Sequence, residues 1–198
     1  MKKHLPLFFF CFYLVPLTVL SQNLLNTTSW TVGSGSASCF GQNGNTSENS
    51  RGLGKNHIGN TVVLWKATPD AANNADGGWN TCYYAINHNT TYRFSVWIKK
   101  TNSNSGTTHF GFNAYNNGAH HSLTLNGTID VNPYFWHGDL PKLNHWYLLV
   151  GYVHKSSYGS TANLGRIYDG VTGKTVQRCI ERAVGLLPDD TTIFSSLP

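Results

Sequence analysis

The chain has 198 residues, with 14 Lys and Arg against nine Asp and Glu, which gives a net charge of +5 at pH 7. The basic residues are scattered, and no run is longer than the pair Lys99-Lys100, so the pattern argues against a nucleic-acid-binding surface. Gly, Asn, Ser and Thr supply much of the polar character, which is typical of turn-rich extracellular β-domains.

The N-terminus has the pattern of a secretory signal peptide. Two lysines precede an apolar run over residues 5–20, and small residues precede a cleavage site after residue 21. A membrane anchor is the alternative, but about 16 apolar residues interrupted by Pro6 and Pro16 are short for a span that needs about 20. We therefore expect residues 1–21 to be removed, and a secreted or cell-surface protein with no stable membrane insertion afterwards.

Three cysteines follow the leader, and an odd number allows at most one bridge within the chain. Secretion permits disulfides. We favour a Cys39–Cys82 bridge because both residues flank the first predicted strands, which leaves Cys179 over. The alternative is three thiols that form no bridge.

Short apolar runs separated by Gly, Asn and Ser clusters predict an all-β sandwich, in one domain over residues 22–175. Loops are predicted at 41–54, 68–78, 100–106 and 115–121. The predicted strands, in chain order, are 61–67, 82–86, 92–99, 109–115, 122–125, 146–153 and 165–168.

Side-chain alternation separates a core face from an outward face in two of these strands. In 92–99, every second residue from Tyr92 is apolar, and the alternate set includes Arg93 and Trp97. In 109–115, the alternate set includes Asn113 and Tyr115. Segment 146–153 is apolar on both faces, which predicts a central strand covered on both sides.

Outward aromatic residues beside amides and cations suit sugar binding, because a sugar ring packs its C–H groups on an aromatic face. Tyr134, Trp136 and Trp79 lie in loop-like segments and are also expected at the surface. The alternative is that all these rings pack in the core, as most buried Trp and Tyr do. The predicted ligand-binding residues are Arg93, Trp97, Asn113, Tyr115, Tyr134 and Trp136, with Trp79 as a further surface candidate.

Catalytic patterns are weaker. A lyase needs a base beside a charge-neutralising group, and His109, Tyr115 and Arg93 can be arranged that way. Glycoside hydrolysis usually needs two facing carboxyls, whereas Glu48 and Glu181 are the only glutamates and lie in a loop and in the tail.

Metal ligands are sparse as well. The His and Cys spacings do not match structural zinc sites. No cofactor is expected, although Asp70, Asp76 and Asp130 could help hold a structural calcium through their oxygen atoms. Solvated loop carboxylates are the alternative.

Four motifs stand out along the chain: "NLLNTTSW" from residue 23, "YRFSVWIKK" from 92, "HWYLLVGYVH" from 145 and "IYDGVTGK" from 167. In these motifs the chain resembles jelly-roll carbohydrate-binding modules of the galactose-binding-like superfamily. Similar domains occur in bacterial secreted surface proteins and phage tail fibres. The resemblance implies a jelly-roll β-sandwich of two antiparallel sheets, a bacterial source and a polysaccharide or cell-surface glycan as partner. Fold alone does not fix function.

The tail at 176–198 departs from this resemblance. Such a module ends in a closing strand, whereas the tail has helical or irregular character and an extra cysteine. A truncated or frameshifted reading frame is one explanation, and a short helix covering the sheet edge is the other. Overall the sequence predicts a non-catalytic carbohydrate-binding module. A structural or adhesive domain of a surface or fibre assembly and a polysaccharide lyase are the alternatives.

Overall fold

A computed structural model describes residues 23–70, 77–102, 107–116, 119–131, 134–179, 182–184 and 192–197. The predicted signal peptide lies outside these residues. Within them the chain is all-β, with two short 3-10 helices at Thr27–Ser29 and Thr46–Glu48 and no α-helix. The strands are β1 Gly33–Ser34, β2 Phe40–Gln42, β3 Asn49–Lys55, β4 Thr61–Ala67, β5 Trp79–Thr81, β6 Tyr84–Ala85, β7 Tyr92–Ile98, β8 Thr108–Asn116, β9 Ala119–His120, β10 Ser122–Thr124, β11 Tyr134–Gly138, β12 Tyr147–His154, β13 Arg166–Asp169, β14 Thr175–Arg178, β15 Arg182–Val184 and β16 Thr192–Leu197.

The described strands form three sheets. The smallest has the order β1-β3-β4. The six-stranded sheet runs β10-β15-β12-β13-β14, and β7 also pairs with β12. The seven-stranded sheet runs β11-β8-β16-β5-β2, with β6 beside β16 and β9 beside β8. The pairings are antiparallel except that of β12 with β15, so the predicted all-β class with antiparallel sheets is confirmed.

The hydrophobic core draws side chains from both large sheets. Phe135 of β11 is fully buried and lies 5.2–5.3 Å, centroid to centroid, from the rings of Phe94, Phe110 and Phe112. Phe94 belongs to the six-stranded sheet and the other rings to the seven-stranded sheet. Burial of each such ring contributes about 1.5–3 kcal/mol, so this cluster is a main source of stability.

Strand β12 is the centre of the six-stranded sheet. It pairs with β7 over seven residues and with β13 over four, so its predicted central position is confirmed. The prediction that both faces are covered is not, because the outward face lines an open groove. Its inward side chains Tyr147, Leu149 and Val153 belong to the core. Its other face bears Leu148, Val150 and Tyr152, the floor of a groove.

Three segments taken as loops contain strands. β9 lies within the predicted loop 115–121. β3 lies partly within the predicted loop 41–54, where glycines and polar residues gave no apolar alternation. Its first residue, Asn49, is buried because its amide is fully used: it donates to the carbonyls of Asn43 and Asn45 and accepts from Trp65 Nε1 and Gly78 N. β11 lies in a segment also taken as loop-like.

The tail is the largest correction to the predicted architecture. Helical or irregular structure was expected over 176–198, but its described residues include β15, β16 and most of β14. β16 pairs with β8 over five residues and with both β5 and β6. Short, polar-interrupted strands carry too few residues for their period to be recognised in a sequence.

Candidate functional site

An open groove of about 350 Å³ lies on the outward face of the six-stranded sheet. Strands β7, β12 and β13 form its floor, and the turn between β13 and β14 forms one edge. Its lining residues are Arg93, Trp97, Leu148, Val150, Tyr152, Tyr168, Asp169, Gly170 and Gly173.

Alternation along β7 explains which of its side chains reach the groove. Phe94, Val96 and Ile98 pack against the core, so Arg93 and Trp97 point to the opposite side. This division between the two faces of β7 was predicted from the sequence and is confirmed.

Strand register sets the pattern of the groove floor. Leu148 of β12 lies opposite Trp97 of β7 on one side and opposite Tyr168 of β13 on the other. Four residues further along β12, Tyr152 lies opposite Arg93. One cross-strand row therefore places an apolar side chain between two aromatic rings, and a second row places a phenol beside a cation.

The β13–β14 turn is held by the carboxylate of Asp169. Asp169 Oδ1 accepts hydrogen bonds from Val171 N at 2.9 Å and Thr172 N at 2.8 Å, and Oδ2 lies 2.9 Å from His145 Nε2. These backbone donors, first of all Thr172, and the facing imidazole lower the pKa of Asp169 to about 2. The Asp169 carboxylate therefore stabilises the turn at the groove edge. Arg93 is the charged side chain of the lining that is left to contact a ligand.

One face of Trp97 is covered. The imidazole of His57, in the turn between β3 and β4, lies parallel to the indole at 3.8 Å between centroids and 9° between planes. A ring has two faces, so a ligand stacks on the second face or displaces His57. His57 was not among the predicted site residues, and no sequence signal joins two residues forty positions apart.

Asn113 and Tyr115 do not join this groove. Both lie on β8 of the seven-stranded sheet, whose inward residues Phe110, Phe112 and Ala114 are buried in the core. The core therefore separates them from Arg93 and Trp97, and the predicted single platform is divided between two opposite faces.

On that second face, Asn113 and Tyr115 both contact His120 of β9. Asn113 Oδ1 accepts from His120 Nδ1 at 3.0 Å, and the Tyr115 ring meets the His120 ring edge-on at 5.3 Å. Tyr134 of β11 lies on the same sheet with its ring 4.8 Å from that of His109. This face carries polar and aromatic side chains. The strand order separates it from the groove, and strand order cannot be read from the sequence.

The predicted surface position of Trp136 is wrong, since its side chain is 3 % exposed and belongs to the core. The reason is a register shift in β11: Tyr134 pairs with Gly111 and Trp136 with Phe110, so the bulge turns both Phe135 and Trp136 inward. Trp79 lies in β5, is partly buried and packs against the core, so its ring is not fully at the surface.

His109 has an unusual electrostatic environment on this second face. Partial burial, together with the neighbouring His137, lowers its pKa below the usual value, while a hydrogen bond to the Thr107 backbone acts in the opposite direction. The two imidazoles are stacked with centroids 6.1 Å apart. The net effect of these surroundings on the pKa favours the neutral ring of His109.

The cysteine pairing favoured from the sequence is present: Cys39 and Cys82 form a disulfide. Cys179 lies outside that bridge and is buried in the core.

Of the three aspartates considered as calcium ligands, Asp76 lies outside the described residues. Glu181, considered for hydrolysis, lies outside them as well. Over the described ranges, no three His, Cys, Asp or Glu side chains gather as metal ligands do, and Asp70 and Asp130 belong to no such group. In the same part of the chain, helices of the length and apolarity needed to cross a bilayer are absent.

Sequence reasoning missed Tyr152, Tyr168 and Asp169 as groove residues. Both tyrosines lie within predicted strands, and their alternation with buried neighbours was the signal that could have revealed them.

No protein-family model, no curated protein and no solved structure matches the chain.

Proposed function

We propose that this protein is a secreted, non-catalytic carbohydrate-binding domain and that the groove on β7, β12 and β13 holds a polysaccharide or cell-surface glycan. The observation that carries the proposal is the composition of that groove. It joins Trp97, Tyr152 and Tyr168 with one exposed cation, Arg93, on a rigid sheet face.

The groove geometry supports a chain ligand that crosses the strands. Trp97 and Tyr168 flank Leu148 in one row, two strand spacings or about 10 Å apart, so a ligand touching both extends beyond one sugar ring. Sugar C–H groups pack on the aromatic faces, and hydroxyls accept from the Arg93 guanidinium. The groove is shallow and open, so affinity for a single site is modest.

We further propose that the two large sheets form a jelly-roll sandwich. Their shared core, centred on Phe135, supports this arrangement, as does the resemblance to jelly-roll modules over residues 23–174. The Cys39–Cys82 disulfide is compatible with an extracellular location, which the leader-like N-terminus also favours.

The lyase alternative is weakened by the placement of its residues. His109 and Tyr115 lie on the seven-stranded sheet, and Arg93 lies on the far side of the core. A base and a charge-neutralising group must both reach one sugar ring, and these three residues do not face one space.

An adhesive role is the second candidate, and one observation favours it. Leu53 on β3 and Ile58 in the following turn are 71 % and 67 % exposed. Exposed large apolar side chains on one hairpin are consistent with a protein contact surface. A glycan-negative result together with self-association through this hairpin would favour that role.

The proposal is tested by binding of the purified protein to a panel of plant, algal and bacterial polysaccharides, with release of sugar products followed in parallel. We expect retention on one glycan class without product release. Tyr168→Ala and Arg93→Ala should each lower affinity about tenfold, or about 1.4 kcal/mol, because each removes one contact.

Tyr134→Ala is the matched control, since it removes a tyrosine from the opposite sheet face. It should bind as the unchanged protein does, and circular dichroism should show the same fold for all variants. Equal losses from Tyr134→Ala and Tyr168→Ala would place the ligand elsewhere, and a folded protein that binds no glycan would contradict the proposal.

A further inference from the structure

His109 and His137 are direct cross-strand partners. They lie on neighbouring antiparallel strands, β8 and β11, in register with each other. Directly opposite residues have Cβ atoms about 4.5–5.5 Å apart, which holds both imidazoles over the same patch of the sheet. Their rings are nearly parallel, at 26°, with centroids 6.1 Å apart.

The ring of His109 is oriented by the chain itself. It hydrogen-bonds to the backbone of Thr107, and this bond favours the protonated ring. The imidazole N–H is therefore the donor and the Thr107 carbonyl the acceptor. Metal-binding histidines are typically fixed in this way, because tying down one ring nitrogen leaves the lone pair of the other available.

We propose that His109 and His137 form a two-imidazole site for a late first-row divalent transition metal, best filled by Cu²⁺. Imidazole nitrogens bind such metals at about 2.0–2.1 Å, so the two nitrogens must approach to about 3–4 Å. His137 is exposed, so its ring has room to rotate about its side-chain bonds towards a metal held at His109.

The ligand set predicts which metal the site prefers. Two neutral nitrogens favour Cu²⁺ over Zn²⁺ and disfavour Ca²⁺ and Mg²⁺, which need oxygen ligands. Across the described residues no third His, Cys, Asp or Glu completes a cluster, so water fills the remaining positions. Tyr134, whose ring lies 4.8 Å from His109, forms one wall of the site.

This site is separate from the groove. It lies on the outward face of the seven-stranded sheet, and the core lies between it and Trp97. The inference therefore stands or falls independently of carbohydrate binding.

The test is titration of the untagged protein with Cu²⁺, followed by calorimetry and by electron paramagnetic resonance. We expect the tightest site to show a spectrum with two nitrogen ligands. His137→Asn and His109→Asn should each weaken it at least about tenfold, and both should lose one nitrogen from the spectrum. Zn²⁺ should bind more weakly, and Ca²⁺ should not compete.

His120→Asn is the matched control, because it removes another histidine from the same sheet while leaving the pair intact. It should keep the tightest site. If His137→Asn binds Cu²⁺ with the affinity and spectrum of the unchanged protein, the proposal is overturned. Because His137 is exposed, that variant should retain the fold even if His109→Asn disturbs the packing of Tyr134.

Discussion

His57 and Trp97 lie face to face although one is in a hairpin turn of the three-stranded sheet and the other is on a strand of the six-stranded sheet. The imidazole sits in the turn between β3 and β4, and the indole sits on β7 of the six-stranded sheet. The turn is held in shape by Asn56, whose Oδ1 accepts from the backbone N–H groups of Ile58 and Asn60. The hairpin of the three-stranded sheet thus reaches the groove and covers one face of its tryptophan.

Removing this cover should expose the indole. In His57→Ala, we expect Trp97 to become more accessible, with stronger quenching of tryptophan fluorescence by acrylamide and a red shift of the emission. Ile58→Ala changes an exposed side chain in the same turn and should leave both unchanged. Identical quenching in His57→Ala and the unchanged protein would show that the stack does not persist in solution.

The sequence was sufficient to predict those site residues whose position follows from regular alternation along a strand. Arg93 and Trp97 were assigned to the outward face of β7 because every second residue of that strand is apolar, and the structure places them there. A two-residue period is a local property, so a single strand suffices to reveal it.

The unpredictable part depends on strand order and on irregular backbone. Asn113 and Tyr115 alternate as clearly as Arg93 and Trp97, yet the sequence does not state which sheet β8 joins. The bulge in β11 breaks the alternation itself and turns Trp136 inward. β3 was missed because its burial rests on the hydrogen-bonded amide of Asn49, which no apolar pattern records.

Gly151 of the six-stranded sheet lies directly against Phe135 of the seven-stranded sheet. A Cβ atom at this position of β12 would lie 2.3 Å from the ring of Phe135 on β11. Gly151→Ala should therefore destabilise the fold by about 1–3 kcal/mol through overpacking. Urea denaturation followed by the near-ultraviolet circular dichroism of the aromatic core measures this loss.

Gly159→Ala is the matched control for that substitution. Among the described residues nothing lies within 4 Å of a Cβ at Gly159, so its denaturation midpoint should change little. Equal midpoints for Gly151→Ala and Gly159→Ala would mean that Phe135 moves aside freely, which is incompatible with a close-packed core.

The Cys39–Cys82 bridge should contribute strongly to stability. It closes a loop with a sequence separation of 43, for which loop entropy predicts about 4 kcal/mol. The Cys39→Ala, Cys82→Ala double variant should unfold at lower denaturant by about that amount. Dithiothreitol should lower the midpoint of the unchanged protein but not that of the double variant; an unchanged midpoint in reductant would contradict the prediction.

Asp169 should make stability depend on acid pH. Its folded pKa, about 2, lies below the ordinary 3.8 because backbone N–H groups and His145 favour the carboxylate. Between these values the unfolded chain binds more protons than the folded one. The contribution of the carboxylate is thus complete above about pH 4 and lost as the pH falls through about 2.

Asp169→Asn removes this titration while retaining an amide oxygen that can accept from Val171 and Thr172. We expect the variant to be less stable than the unchanged protein at pH 5 and the difference to shrink towards pH 2, as measured by denaturant midpoints at each pH. Asp139→Asn, which removes an exposed carboxylate paired with Lys100, should follow the unchanged protein more closely, since such surface pairs contribute little. A difference between Asp169→Asn and the unchanged protein that stays constant down to pH 2 would mean that the contribution of Asp169 to stability, and so to the groove edge, does not depend on its charge.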